Sequence, residues 1–155
     1  MNGFILARVI HVLAAVIWIG GVAMVTMVIL PAIKKLKSKK EQLETFEALE
    51  GRFAKIAKLT TILTALSGFY MLEVLNAWHR YLDPSYWWLH AMTLVWLIFT
   101  FILFVFEPLL LHRLFKKFMQ ENPEKTIKIM QRAHWVLLIL SLTALAGGVA
   151  GSHGL

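Results

Sequence analysis

The chain reads as an all-α integral membrane protein: a four-helix bundle made of two parallel two-helix repeats, with both termini outside. Three observations lead there. Its 155 residues are 59% hydrophobic and only 16% charged, with a mean hydropathy of +0.68, too apolar for an ordinary soluble domain of this size. Fourteen of the sixteen Lys and Arg lie in two stretches, eight in 34–58 and six in 112–132. The hexapeptide Leu63-Thr64-Ala65-Leu66-Ser67-Gly68 returns as Leu142-Thr143-Ala144-Leu145-Ala146-Gly147, 79 residues on. One membrane domain over 1–155 accounts for all three.

The elements follow in order. Residues 4–30 form an apolar run broken only by Arg8 and His11, long enough for a tilted helix across a hydrocarbon core of roughly 30 Å. Its length, the internal Arg8 and the Pro31-Ala-Ile-Lys-Lys flank favour a retained span over a cleaved signal peptide. Over 34–54 the composition turns charged while Leu43, Phe46, Leu49 and Phe53 recur at helical spacing, the pattern of an amphipathic segment on the cytoplasmic surface running into a second span at about 55–75. Asn76 to Pro84 is a short polar and aromatic connection. The third span, about 85–111, opens on the interfacial aromatics Tyr86, Trp87 and Trp88 and leaves through His112, Arg113, Lys116 and Lys117. Asn122-Pro123-Glu124 caps the fourth, about 127–150.

The positive-inside rule puts the two basic stretches in the cytoplasm and both termini outside, in a bacterial-type inner membrane. The net charge of +7 therefore reports topology rather than a nucleic-acid partner. With no cysteine, disulfides, thiolate metal sites, iron–sulfur ligation and covalent heme attachment are excluded, which leaves His and Met as soft ligands.

The 79-residue offset also carries His11 to His90. An imidazole inside an apolar span is costly and marks a functional site by default. The two histidines lie about 10 and 8 Å below the outer boundary at ~1.5 Å per residue, which suits the two axial positions of a heme b between helices 1 and 3. Arg8, Ala15 and Trp18 share the His11 face. The small Ala15 would leave room for the macrocycle, Trp18 would pack on it, and Arg8 or Arg80 would meet its propionates. The competing reading is a pair of histidines that hydrogen-bond across helices. His79 and His153 are expected near the outer surface as solvated residues or a shallow metal site. His134 and His112 lie towards the cytoplasmic side, where a second heme is conceivable. The scattered methionines, among them Met24, Met27, Met71 and Met92, admit Cu(I) but read better as core filler. Glu73 and Glu107, the span-associated carboxylates, could carry protons but read better as solvated interfacial side chains. Small residues at Gly20, Gly21, Gly147 and Gly151 permit close helix approach within the bundle or in a homodimer.

The pattern His11-x6-Trp18-x-Gly20-Gly21, followed by Pro31-Ala32 and a basic connection, resembles the first span of the copper-resistance protein D family. His11 with Trp18, and Trp88-Leu-His90-Ala91, also resemble the heme-containing membrane protoporphyrinogen oxidases of bacteria. The resemblance implies a four-helix membrane protein whose helix 1 histidine binds b-type heme. Met92 departs from the oxidase-like pattern, which has a lysine there. The expected function is a membrane b-type cytochrome passing electrons between quinol and an outer-face acceptor. The alternatives are a heme-dependent oxidoreductase of the protoporphyrinogen oxidase kind and a copper-binding or copper-transporting membrane protein.

Overall fold

The computed structural model describes residues 2–153, without the side chains of residues 2, 110–112 and 152. Among the described residues every regular element is helical. Helix α1 (Asn2–Met24) runs through a first π segment (Val25–Ile29) into α2 (Leu30–Lys34). Helix α3 (Lys39–Val74) is one continuous rod of 36 residues. Two 3₁₀ turns (Trp78–Leu82 and Pro84–Tyr86) lead to α4 (Trp87–Phe101) and a second π segment (Ile102–Leu111). Helices α5 (His112–Glu121) and α6 (Pro123–Ser152) follow.

Local chemistry sets these limits. Ser38 accepts from the Glu41 N–H at 3.5 Å to start α3, in the Ser-x-x-Glu spacing of a capping box. Asn122 accepts from the Lys125 N–H at 3.0 Å, with Pro123 at the first position of α6, where its missing N–H costs nothing. Helix α3 ends on Asn76 at φ 49°. There the Asn76 and Ala77 N–H groups return to the Glu73 and Leu72 carbonyls, both at 2.9 Å, a Schellman close that favours Asn or Gly in the left-handed position. Each π segment accompanies a proline, Pro31 or Pro108, whose missing N–H breaks the ladder and invites a local widening.

Three helical stretches, Gly3–Lys34, Pro84–Leu109 and Pro123–Gly151, are long and apolar enough to cross a membrane, as in a multi-pass membrane protein. Helix α3 is not among them, because Lys58, Thr60, Thr61, Thr64, Ser67 and Glu73 interrupt its apolar half. The molecule is turned outward: Leu6, Leu13, Val16 and Ile17 of α1 are exposed, while Ala7, Ala14, Ala15, Trp18 and Val22 are buried. Small and polar residues inside, with large aliphatics outside, are what bundles in lipid use to bring backbones close.

Helix α1 lies along α3, and α4 along α6. These two pairs join through α1–α6 and α3–α4 contacts, and Trp18 meets Phe99 edge-on across the centre at 4.8 Å. Two structural signals relate the pairs by 77 residues: Pro31 to Pro108, and the π segments starting at Val25 and Ile102. The same offset matches buried Trp18 with Val95, Val22 with Phe99, Thr61 with Leu138, Thr64 with Ser141 and Ser67 with Ala144. The 79-residue offset of the hexapeptide instead sets buried Thr61, Thr64 and Ser67 against exposed Leu140, Thr143 and Ala146. Two residues rotate a helix by ~200°, so the matching letters present nearly opposite faces. In the structural register His11 corresponds to Trp88, and His90 to Leu13. This corrects the sequence-based pairing of the two histidines as repeat mates.

Helix α5 was expected only as a basic exit from the third span. It is a helical turn of the chain onto the bundle, burying Phe115 and Met119 beside Phe46 and Ile127.

Candidate functional site

The polar interior of the first helix pair is a stripe on α3. Thr60, Thr64 and Ser67 are buried and satisfy their hydroxyls within the helix, on the carbonyls of Ile56, Thr60 and Leu63 at 2.9, 2.8 and 2.6 Å. His11 of α1 lies on this stripe. Its Nδ1 is 2.8 Å from the Thr64 carbonyl and 3.2 Å from Ser67 Oγ. A carbonyl only accepts, so Nδ1 carries the proton and Nε2 keeps its lone pair. Nε2 has no hydrogen-bond partner among the described residues. Gly68 makes the fit possible: a Cβ there would stand 3.1 Å from His11 Cε1. A histidine with Nδ1–H anchored on a backbone carbonyl and Nε2 open has the orientation of a metal ligand.

His90 is placed differently. Its Nδ1 faces the Tyr86 carbonyl at 3.0 Å and its Nε2 the Tyr81 carbonyl at 3.1 Å. The Tyr81 ring stands edge-on to it at 5.8 Å, and the Tyr81 hydroxyl bonds Thr93 Oγ1 at 2.8 Å. Trp78 stacks between Tyr81 and Phe69, and Phe69 meets Trp96, all with centroids within 6.2 Å. His90 thus closes an aromatic run at the end of the bundle opposite the two basic stretches.

No protein-family model, curated protein or solved structure matches the chain.

The residues fit a heme unevenly. His11 offers an oriented imidazole as it stands. His90 offers one when Nε2 leaves the Tyr81 carbonyl, which requires the 78–86 connection to give way. Neither of the two described cavities touches either histidine. Ala15 is buried. Trp18 packs on Phe99, and its buried Nε1 has no partner. Arg8 is exposed. Arg80 lies over the Tyr86 ring at 5.1 Å with its Nε buried and unpartnered. His79 and His153 are exposed and fold back onto the Asn76 and Val149 carbonyls at 3.1 and 2.8 Å. Among the described residues no three His, Asp or Glu gather as a metal would need. Met24 and Met27 are exposed, and Met92 lies against Gly148. The side chain of His112 lies outside the described residues.

A second polar site lies at the basic end, and the sequence reading passed over it. A cavity of about 90 Å³ is walled by both π segments, α3 and α6, and is lined by Glu50, Glu107 and His134 among apolar side chains. Glu107 is not a solvated interfacial carboxylate as expected. Its side chain is 20% exposed and receives Lys58 Nζ at 2.6 Å from the neighbouring helix. His134 bonds the Met130 carbonyl through Nδ1 at 2.9 Å. The signal that could have located this site is the proline pair, which in the 77-residue register aligns Glu107 with the fully buried Leu30.

Proposed function

We propose that the protein is a membrane b-type cytochrome in which His11 holds the heme iron through Nε2. One observation carries the reading: Nδ1 of His11 is fixed on the Thr64 carbonyl at 2.8 Å, inside an apolar helix, with Nε2 left open. A ring held in one tautomer by a backbone acceptor loses little freedom on taking a metal, and its basicity is raised by the donated proton.

His90, on the facing pair of helices, would be the second residue to hold the heme, through Nε2 once it is free of the Tyr81 carbonyl, while Nδ1 stays on the Tyr86 carbonyl. Heme bound there supplies a one-electron couple. The protein's own part is to hold both imidazoles, exclude water with Trp18 and its apolar neighbours, and present Arg8 and Arg80 to the propionates. A heme held by both histidines would supply electron transfer rather than oxygen chemistry, and a quinol donor with an acceptor at the outer face is the use that fits.

The proposed topology has α3 as a fourth span beyond Lys58, the basic stretches in the cytoplasm of a bacterial-type inner membrane, and both termini outside. Each pair of helices then enters with the same orientation, as parallel repeats do.

Heme and metal analysis of the purified protein, with a reduced-minus-oxidised spectrum, tests the reading. A b-type α-band is expected. Copper retained without that band supports the copper-binding alternative, and turnover of protoporphyrinogen supports the oxidase despite Met92.

A further inference from the structure

The two π segments leave the same problem and receive different answers. In a π ladder the N–H of residue i+5 serves the carbonyl of residue i. Pro31 has no N–H, so the Thr26 carbonyl loses its donor. The Gln131 side-chain amide, reaching from α6, donates to that carbonyl. In the second segment Pro108 removes the donor of the Leu103 carbonyl, the 77-residue counterpart of Thr26. The counterpart of Gln131 is Ala54 on α3, whose methyl cannot donate. Leu103 and Ala54 are both buried and both line the cavity. Where one pair of helices has an amide capping a carbonyl, the other has an alanine and a leucine that line a cavity.

A buried carbonyl without a donor costs about 1–3 kcal/mol, and water is the usual remedy where the site is polar and large enough. The cavity of about 90 Å³ has room for water, and Glu50, Glu107 and His134 are the titratable side chains in its mainly apolar lining. Glu107 follows in the same segment, and its register mate is Leu30, so the carboxylate too is a departure from the apolar pattern of the first pair. The charged and titratable groups facing Glu107 are Lys58 and Glu50 from α3 and His134 from α6. Helix α1 and the first π segment bring only apolar side chains to the cavity, Val22, Val25 and Ile29.

We infer that this cavity is a hydrated proton-exchange site, in which water bound to the carbonyl ahead of Pro108 links the Glu107 carboxylate to solvent at the basic end. In uptake a proton passes from hydronium to a Glu107 carboxylate oxygen, leaving water. The O–H bond broken on hydronium is matched by the O–H bond formed on the carboxyl, and no electrons are exchanged with another group. Lys58, 2.6 Å away, holds the carboxylate in place. The site stands independently of the heme reading.

The test uses pH-difference infrared spectra of the full-length protein in detergent, in H₂O and after transfer to D₂O. Acidification is expected to raise a carboxyl C=O band to which all nine Asp and Glu contribute, and the Glu107 component, obtained as the difference between wild type and Glu107→Gln, is the one followed. Ala54→Gln copies the amide of the other pair into the cavity. It should leave that component in place but slow its deuterium exchange by about tenfold or more. Ala54→Leu fills the same space without a donor and should slow exchange too, and it serves where Ala54→Gln does not fold. A band unchanged in Glu107→Gln would show that the Lys58–Glu107 pair is only a tie between helices. Exchange at the wild-type rate in whichever filled variant folds would overturn the water link.

Discussion

The two helix pairs share a scaffold and differ in chemistry. In the α1–α3 pair the interior is polar towards the end opposite the basic stretches, where His11 rests on Gly68 between Thr64 and Ser67. In the α4–α6 pair that depth is filled by rings and a thioether: Trp87 on Gly147, Trp88 on Gly151 and Met92 on Gly148. At the basic end the order reverses. Leu30 and Ala57 of the first pair correspond to Glu107 and His134 of the second. The two pairs thus share a proline and a π segment at matching positions while differing in which side chains fill the corresponding places. Packing dictates the shared features, and the differences mark the places to look for function.

Five substitutions sharpen that contrast, from the largest expected effect to the smallest. Gly147→Ala puts a methyl 2.5 Å from the Trp87 ring, which must shift to admit it, and overpacking of this kind costs about 1–3 kcal/mol. A clear fall in the thermal midpoint in detergent is expected, and no fall would mean that the two pairs are not packed as described. Gln131→Ala removes the donor to the Thr26 carbonyl and should cost about 1–3 kcal/mol, whereas Ala54→Gln in the other pair should be neutral or stabilising. Equal losses from both would erase the asymmetry.

Gly68→Ala brings a methyl to 3.1 Å from His11 Cε1 and 3.3 Å from Nδ1, where the neighbour must yield by only tenths of an ångström. Its cost in stability should be smaller than that of Gly147→Ala, with its main effect on the His11–Thr64 bond and hence on any group held at Nε2.

The smallest effect belongs to the connection. The Ser85 hydroxyl, with its backbone N–H at 2.9 Å, holds the Asp83 carboxyl below the ordinary carboxylate value. A depressed folded-state value means that this contribution is present above about 3.8 and is lost as pH falls through the folded value. In Asp83→Asn the acid limb of a midpoint-against-pH curve should flatten slightly, with no change near neutrality. A change near neutrality instead would point to another role for Asp83.

Much of the fold is written in simple signals. The apolar runs, the Asn122-Pro123-Glu124 cap and the aromatic opening at Tyr86 to Trp88 correspond to helices and boundaries found in place. The hexapeptide match and the structural signals give different offsets, 79 and 77 residues. Helices of Leu, Ala, Thr and Gly draw on few letters, so a six-residue identity arises readily between different faces, whereas Pro31 and Pro108 carry a backbone consequence and report the true register. The second polar site was obscured because a carboxylate beside a proline and a basic stretch looks interfacial. Only the path of α3, which brings Lys58 within 2.6 Å of Glu107, turns it inward. The extension of α5 was hidden by its charges, since Arg113, Lys116 and Lys117 mask the buried Phe115 and Met119.

The central claim is that His11 is an axial ligand, and one comparison tests it most directly: visible spectra of the reduced wild-type protein and of His11→Ala, purified in parallel at equal folded yield. The account predicts a low-spin b-type α-band in the wild type and its loss in His11→Ala, while His79→Ala leaves the band unchanged. An α-band that persists undiminished in His11→Ala, or a wild-type protein that takes up no heme when it is supplied, would contradict it.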